Sequence, residues 1–501
     1  MLGSKIFTTA DQQRFALQTG DYNPMHMDPI AARRTQAGAP VVHGIHTLLW
    51  MLDELCAQHG ELAQAAALKV RFPKVIYVGD RVEARIVQRT ATLLRAQACV
   101  DAMVVVSVTI NLGPIPVAPP SSLCPSAALL EPRHVPADLT LQEMKELTGR
   151  ISFAMQIAAM QSAFPDASRL LGAQRIAAIG CSSYLVGMIV PGLHSIYGGL
   201  ELQFTTNAAP ADELHFAVTA VDACFRRVQL SIAAAGLSAS LTTFSRIPPV
   251  SQPPMNLIAE QVARDEFTDS IALVVGGSRG LGELTAKLVA AGGGRVIVTY
   301  ASGKADADKL AAQINDWGGN CEVVAYDVRQ DAQRQFEALP QAPSHLYYFA
   351  TPTISRRKSG LCERDRLEEF HEFYVHGFLR VVQAGMLRAP EGLAVFYPSS
   401  VFVQERPQGM TEYAMAKSAG EILCADLARN FKKLRLLTER LPRLSTDQTA
   451  SLIPTAGANS LSVMLPIVRR MHQRIPADAP SLSMPVGPAI GIVRNANIEI
   501  R

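Results

Sequence analysis

Three groups of residues in this 501-residue chain have the types and spacing that chemistry requires. The run GDYNPMHMD, residues 20–28, puts Asp21, Asn23 and His26 on one stretch broken by Pro24. A carboxyl and an imidazole held on a rigid turn can divide a proton-transfer task, one handling water or a hydroxyl and the other shuttling the proton. The same Gly, Asp, Asn and Pro are turn formers for steric and hydrogen-bonding reasons, so taken alone the run reads first as a polar turn. Further on, IALVVGGSRGLGELTAKLVAAGG (271–293) has a strand-length apolar run, a glycine-rich turn and an amphipathic helix pattern. Gly276, Gly280 and Gly282 would let the backbone approach a pyrophosphate seated on the helix N-terminus. Finally, Ser400 lies thirteen residues before Tyr413, and Lys417 follows four residues later, which puts phenol and ammonium on one helical face.

These groups need a scaffold, and length predicts about three domains. Hydrophobic content of 48% is ample for globular cores, and the net charge of +3 carries no long Lys/Arg block. That balance speaks against nucleic acid as a partner, while mildly basic pockets suit phosphate-bearing molecules. The eight cysteines are scattered, without zinc spacing or a CxxC pair, and are expected to be buried thiols in a reducing cytoplasm, with no metal site. The N-terminus lacks an apolar signal core and the apolar runs are of strand length, so no membrane association is expected.

Prolines divide the chain. Residues 113–136 hold seven prolines and read as a semi-rigid linker, and a second break surrounds IPPVSQPP at 247–254. The units are therefore 1–112, 137–246 and 266–475, with linkers at 113–136 and 247–265 and a tail at 476–501. The first two share a pattern. LKVRFPKVIYVGDRVEARI (68–86) aligns with LELQFTTNAAPADELHFAV (200–218), and two further alternating runs follow each. A duplicated antiparallel meander wrapped on a helix accounts for this.

With Gly20 before it and AARR at 31–34 after it, the Asp21–His26 run resembles the hydratase signature of MaoC-like, (R)-specific enoyl-thioester hydratases. That resemblance implies tandem hot-dog folds over roughly the first 250 residues, with VVHGIHTLLWMLDEL (41–55) starting the first central helix. It implies Asp21 and His26 as the acid–base dyad, with Asn23 and Pro24 shaping their turn. A backbone N–H near Gly44 would stabilise the enolate oxygen. His43 and His46 are expected to be packing histidines. The second unit has no such motif, and Gly187, Pro191 and Gly192 in SSYLVGMIVPGLHSIYGG (182–199) suggest turns. His194 there has no Asp near it in sequence and is expected to be structural, the unit accommodating the acyl chain.

The glycine turn GGSRGLG has the spacing of the short-chain dehydrogenase/reductase family, which implies a Rossmann-type doubly wound parallel sheet. On that resemblance Tyr413 is the general acid/base, Lys417 lowers its pKa and holds the ribose, and Ser400 orients the substrate. The resemblance also assigns Ser278 and Thr446 to the cofactor, and Asp327 with Val328 to its adenine. The second strand ends VIVTYASGK (296–304) without an acid for the ribose hydroxyls. Arg279 and Ser302, with Lys304 beside them, suit a 2′-phosphate, so the expected cofactor is NADP(H). Three departures from the family stand out: FATP (349–352) for its NNAG, Tyr374 where its catalytic Asn is expected, and Arg443 after Pro442.

The expected fold class is thus multidomain α+β and α/β. The expected function is a fused 3-oxoacyl-thioester reductase and 3-hydroxyacyl dehydratase, or enoyl hydratase, of fatty-acid or polyketide-like metabolism. Its substrate would be an acyl-CoA or acyl-carrier-protein thioester, and the assembly a homo-oligomer. Two rivals stay open: a reductase whose hot-dog half only binds acyl groups or dimerises, and a scaffold for thioester-processing partners.

Overall fold

The computed structural model describes residues 2–117, 127–206, 212–234, 236–354, 360–444, 446 and 458–473. The expected tail at 476–501, part of the first linker and Cys124 lie outside them. Ten strands form one antiparallel sheet: β1 (Gly3–Ile6), β2 (Ala65–Arg71), β3 (Arg81–Arg89), β4 (Leu93–Val100), β5 (Met103–Leu112), β6 (Thr148–Ser152), β7 (Ser195–Phe204), β8 (Glu213–Asp222), β9 (Arg227–Ala234) and β10 (Leu237–Ser245). Their spatial order is β1-β3-β4-β5-β2-β7-β10-β9-β8-β6. From the β2–β7 seam outward, each half runs through its own second, fifth, fourth, third and first strand. That repetition is the topology of two hot-dog units joined edge to edge, with Val70 opposite Leu200 at the seam.

Alternation creates the inner face. Leu94, Ala96 and Ala98 in β4, and Val228, Leu230 and Ile232 in β9, point inward at every second position. Each curled half closes on a helix. The helix Gly44–Gln58 buries Leu48, Leu49, Leu52 and Leu55 completely, each worth about 1.5–3 kcal/mol of transfer free energy. Its counterpart Ala173–Tyr184 is buried from Ile176 onward and continues into a π-helical turn, Leu185–Ile189. Gly187, expected in a turn, therefore sits in helical backbone. Gly192 (φ 76°) does form the turn expected there.

The second sheet is parallel: β11 (Ile271–Val275), β12 (Arg295–Tyr300), β13 (Asn320–Ala325), β14 (His345–Tyr348), β15 (Leu393–Ser400) and β16 (Leu434–Leu441). Its order, β13-β12-β11-β14-β15-β16, reverses direction between β11 and β14. In such doubly wound sheets the crevice beyond the strands' carboxyl ends at this reversal is the binding position.

Both proline-rich stretches are more integrated than linkers need be. Leu130 N donates to Arg150 O and Arg133 N to Tyr184 Oη, which pins part of the first to the second hot-dog unit. Met255 and Ile258, within the second, are buried in the core that β11 and β12 share. Cysteines 56, 99, 181, 321 and 424 are buried as expected, but Cys224 and Cys362 are exposed. No helix among the described residues is long and apolar enough to cross a membrane.

Candidate active sites

The Asp21 turn follows the helix Thr9–Thr19, which Gly20 ends in the left-handed region at φ 82°. Asn23 caps the next short helix, accepting from Met25 N at 3.1 Å. Its amide also donates to Gly187 O and Gly192 O at 2.9 and 3.1 Å, tying the turn to the second unit. Asp21 is 2% exposed, and its carboxylate accepts from Ser183 Oγ at 2.6 Å and Asn23 N at 3.2 Å. Gly187 is required at this contact: a Cβ there would lie 2.2 Å from Asp21 Oδ1.

His26 Nδ1 lies 2.8 Å from Val41 O. Because a carbonyl only accepts, Nδ1 carries the proton in the neutral ring and Nε2 is left with its lone pair. His26 stacks on His43 with centroids 3.9 Å apart. His43, expected to be packing, does more, since its Nε2 is 3.1 Å from Asp21 O and its Nδ1 2.9 Å from Gln12 Oε1. His46 packs as expected, stacked on Phe15 at 4.5 Å and pushed down to about 3 by burial.

Donor atoms of Asp21, His26 and His43 all lie within 4.8 Å of one another. Such a set could ligate a cation, but each except His26 Nε2 already has a protein partner, which suits proton transfer better. Burial raises the Asp21 pKa, with His26 and Ser183 opposing; burial lowers that of His26, with Asp21 opposing. Both shifts favour the neutral forms, an imidazole able to take a proton beside a carboxylic acid able to give one. Gly44 opens the helix Gly44–Gln58 next to His43, and the unsatisfied backbone N–H groups and dipole of a helix N-terminus suit an anion. In the second unit the fold supplies what sequence distance hid: His194 Nε2 lies 3.3 Å from Asp138 Oδ1.

In the parallel-sheet half, the β11 turn has Gly276 at φ 77° and Gly280 at φ 60°, with nothing within 4 Å of where a Cβ on Gly280 would stand. A Cβ on Gly282 would strike Gly276 O at 2.5 Å, so helix and turn approach as closely as a pyrophosphate cradle demands. Ser278 is buried in this turn and Arg279 precedes the helix Gly280–Ala291. A cavity of ≈ 270 Å³ extends from Leu281 to Ser400, Tyr413, Lys417 and Thr446. The lining also includes Gln36, from the hot-dog half.

Ser400 ends β15, and Tyr413 and Lys417 share the inner face of the helix Thr411–Asn430. Burial pushes Tyr413 up to about 12, opposed by a hydrogen bond with Ser400. The expected lowering by Lys417 is therefore not what dominates. Lys417 Nζ donates to Pro398 O at 2.6 Å, lies 3.9 Å from the Tyr374 ring centre, and is itself pushed down to about 7 by burial. Two departures from the family pattern prove to be partners, since Tyr374 Oη and Thr351 Oγ1, of FATP, are 2.5 Å apart. The third, Arg443, lines the same cavity.

Around the β12 end, Ser302 is exposed, but Lys304 is drawn along its helix to Asp308 at 2.7 Å. Asp327 is held by Arg329 at 2.7 Å, which lowers its pKa, and Val328 is buried beside it. Sequence reasoning missed Ser183, His43 and Gln36. Ser183 and Gln36 meet their sites only through tertiary contact.

Residues 4–109 match the family described as MaoC like domain, and residues 270–438 match the short chain dehydrogenase family. An uncharacterized oxidoreductase of Methylorubrum extorquens is 30% identical over 33% of this chain and 69% of its own. The (R)-specific enoyl-CoA hydratase of Aeromonas caviae is 33% identical over 17% of this chain and 63% of its own. The peroxisomal hydratase-dehydrogenase-epimerase of Saccharomyces cerevisiae is 33% identical over 16% of this chain, and the match spans only 9% of that protein.

Proposed function

The chain belongs to the short-chain dehydrogenase family in its C-terminal part and carries a MaoC-like domain in its N-terminal part, and on that premise we propose that it processes the β-carbon of acyl thioesters at two sites. A 3-oxoacyl thioester is reduced with NADPH to the 3-hydroxyacyl form, which is dehydrated to the 2-enoyl thioester, or the pair runs in reverse. The observation that carries this reading is a shared loop. His26 of the acid–base cluster and Gln36 of the Tyr413 cavity are ten residues apart on one segment. The carrier is coenzyme A or an acyl-carrier protein.

At the reductase site, Gly276, Gly280 and Gly282 would hold the pyrophosphate and Lys417 the ribose; the bound dinucleotide supplies the hydride. Tyr413 donates its phenolic proton to the carbonyl oxygen while Ser400 fixes that oxygen's position. Lys417, as ammonium, stabilises the phenolate left behind. The Thr351–Tyr374 pair fills the place of the family's Asn, so the relay that returns a proton to Tyr413 runs differently here.

In the dehydration direction, one member of the Asp21/His26 pair takes the α-proton and the other protonates the departing β-hydroxyl. The double bond and one water result. His26 Nε2 is the free ring nitrogen for this exchange, and the Gly44 N–H faces the enolate oxygen.

The test is a coupled assay on 3-oxoacyl thioesters of several lengths, on both carriers, following NADPH oxidation and enoyl absorbance together. Asp21→Asn keeps the turn and should slow hydration of a trans-2-enoyl thioester by about 10²–10⁴ while reduction continues. Tyr413→Phe should slow reduction at least about a hundredfold and spare hydration. A folded Asp21→Asn protein that hydrates normally would reduce the hot-dog half to a binding module.

A further inference from the structure

We propose that Arg33, carried by the hydratase half and flanked by Arg34, completes the binding site for the 2′-phosphate of the reductase's dinucleotide. The inference rests on the reading above that the reductase half takes NADP(H). With the pyrophosphate on the β11 turn, the adenosine ribose must lie toward the carboxyl end of the neighbouring β12. The strand itself ends without a carboxylate, Asp306 in the helix that follows is taken up by Arg33 and Arg34, and Lys304 is turned away to Asp308. What lies over it comes from the other half. Arg33 covers Gly303 so closely that a Cβ there would stand 1.8 Å from Nη2. Arg279 Nη1 donates to Arg33 O at 2.8 Å, which brings the cation of the glycine-rich turn to the same place.

The local charge points to an anion. Arg33 and Arg34 share the single carboxylate of Asp306, at 2.5 and 2.6 Å, so the triad keeps a net positive charge. Arg33 Nε is buried without a hydrogen-bond partner. A guanidinium with an unused buried N–H, lying over Gly303 just beyond the end of β12, has the fork geometry that binds phosphate. A simple docking ion pair between the halves would need neither the second arginine nor the unused donor.

Direct titration of the full chain with NADPH and with NADH separates the alternatives without relying on turnover. Arg33→Ala should weaken NADPH binding about tenfold or more and leave NADH unchanged. Arg33→Lys should retain part of the difference. Asp306→Asn removes the competing carboxylate and should tighten NADPH selectively, whereas a mere docking pair predicts no selective gain. Equal changes for both dinucleotides, or none, in Arg33→Ala would overturn the proposal while leaving the reductase reading intact. Failure of the wild type to bind either dinucleotide would instead remove the reductase reading itself, and this inference with it.

Discussion

Ser183→Ala tests the cross-unit construction of the proposed hydratase site at one atom. Ser183 stands on the central helix of the second unit, 162 residues from Asp21, and its hydroxyl donates to Asp21 Oδ2 at 2.6 Å with both residues buried. Burial drives the Asp21 pKa up, and this bond is one of the contacts that hold it down. A hydrogen bond to a charged acceptor contributes about 1.5–3 kcal/mol, so its loss should move the carboxylate-to-acid ratio roughly 10- to 150-fold toward the acid. The sign follows directly. Wherever hydration depends on ionised Asp21, the variant should lose rate most at low pH and regain it as pH rises, so the acid limb shifts upward.

Hydration of a trans-2-enoyl thioester across pH measures this limb, with NADPH-dependent reduction in the same preparation as internal control. A hydroxyl-to-hydrogen change leaves only a small void, and a melting curve should stay near that of the wild type. An unmoved pH profile would refute the reasoning, because Ser183 would then be a neighbour of Asp21 without influence on its ionisation. Parallel loss of both activities would point to misfolding instead.

Two further outcomes are expected. Gly187→Ala puts a methyl into the space of Asp21 Oδ1 and should abolish most hydration while sparing reduction; normal hydration would mean the turn relaxes freely. Lys417 is depressed to about 7 by burial, so its ammonium fraction falls as pH rises through that value. Reduction should decline over the same range, and Lys417→Ala should lose both that limb and most of the rate. A wild-type rate that is flat across neutral pH would remove Lys417 from the proton economy.

Much of this was legible in the sequence because it is local. The glycine-rich turn between an apolar strand and a helix, and Tyr413 with Lys417 one helical turn apart, are encoded by spacing within a few residues. So is the cap that Asn23 makes before Pro24. The duplicated strand pattern was legible too, since alternation survives when identities do not. What spacing cannot encode is contact between distant segments. AARR followed the hydratase motif without any apparent role until the fold brought Arg33 over Gly303. Asp138 stood far from His194 in sequence and close in space. Thr351 and Tyr374 looked like two separate departures, and the fold hydrogen-bonds them to each other.

The same long-range contacts explain why the pieces belong on one chain. Asp21 is presented by the first unit but is hydrogen-bonded by the second, whose Gly187 backbone leaves room for it. The Tyr413 cavity is built on the parallel sheet but lined in part by Gln36 of the first unit. The segment that carries Gln36 begins at His26 and returns at Val41, whose carbonyl fixes the His26 tautomer. A cut between the halves would expose Asp306 without its arginines and the 33–38 loop without its seat. Each half would then lose ordering that the other supplies, and separately expressed halves should not add up to the intact enzyme.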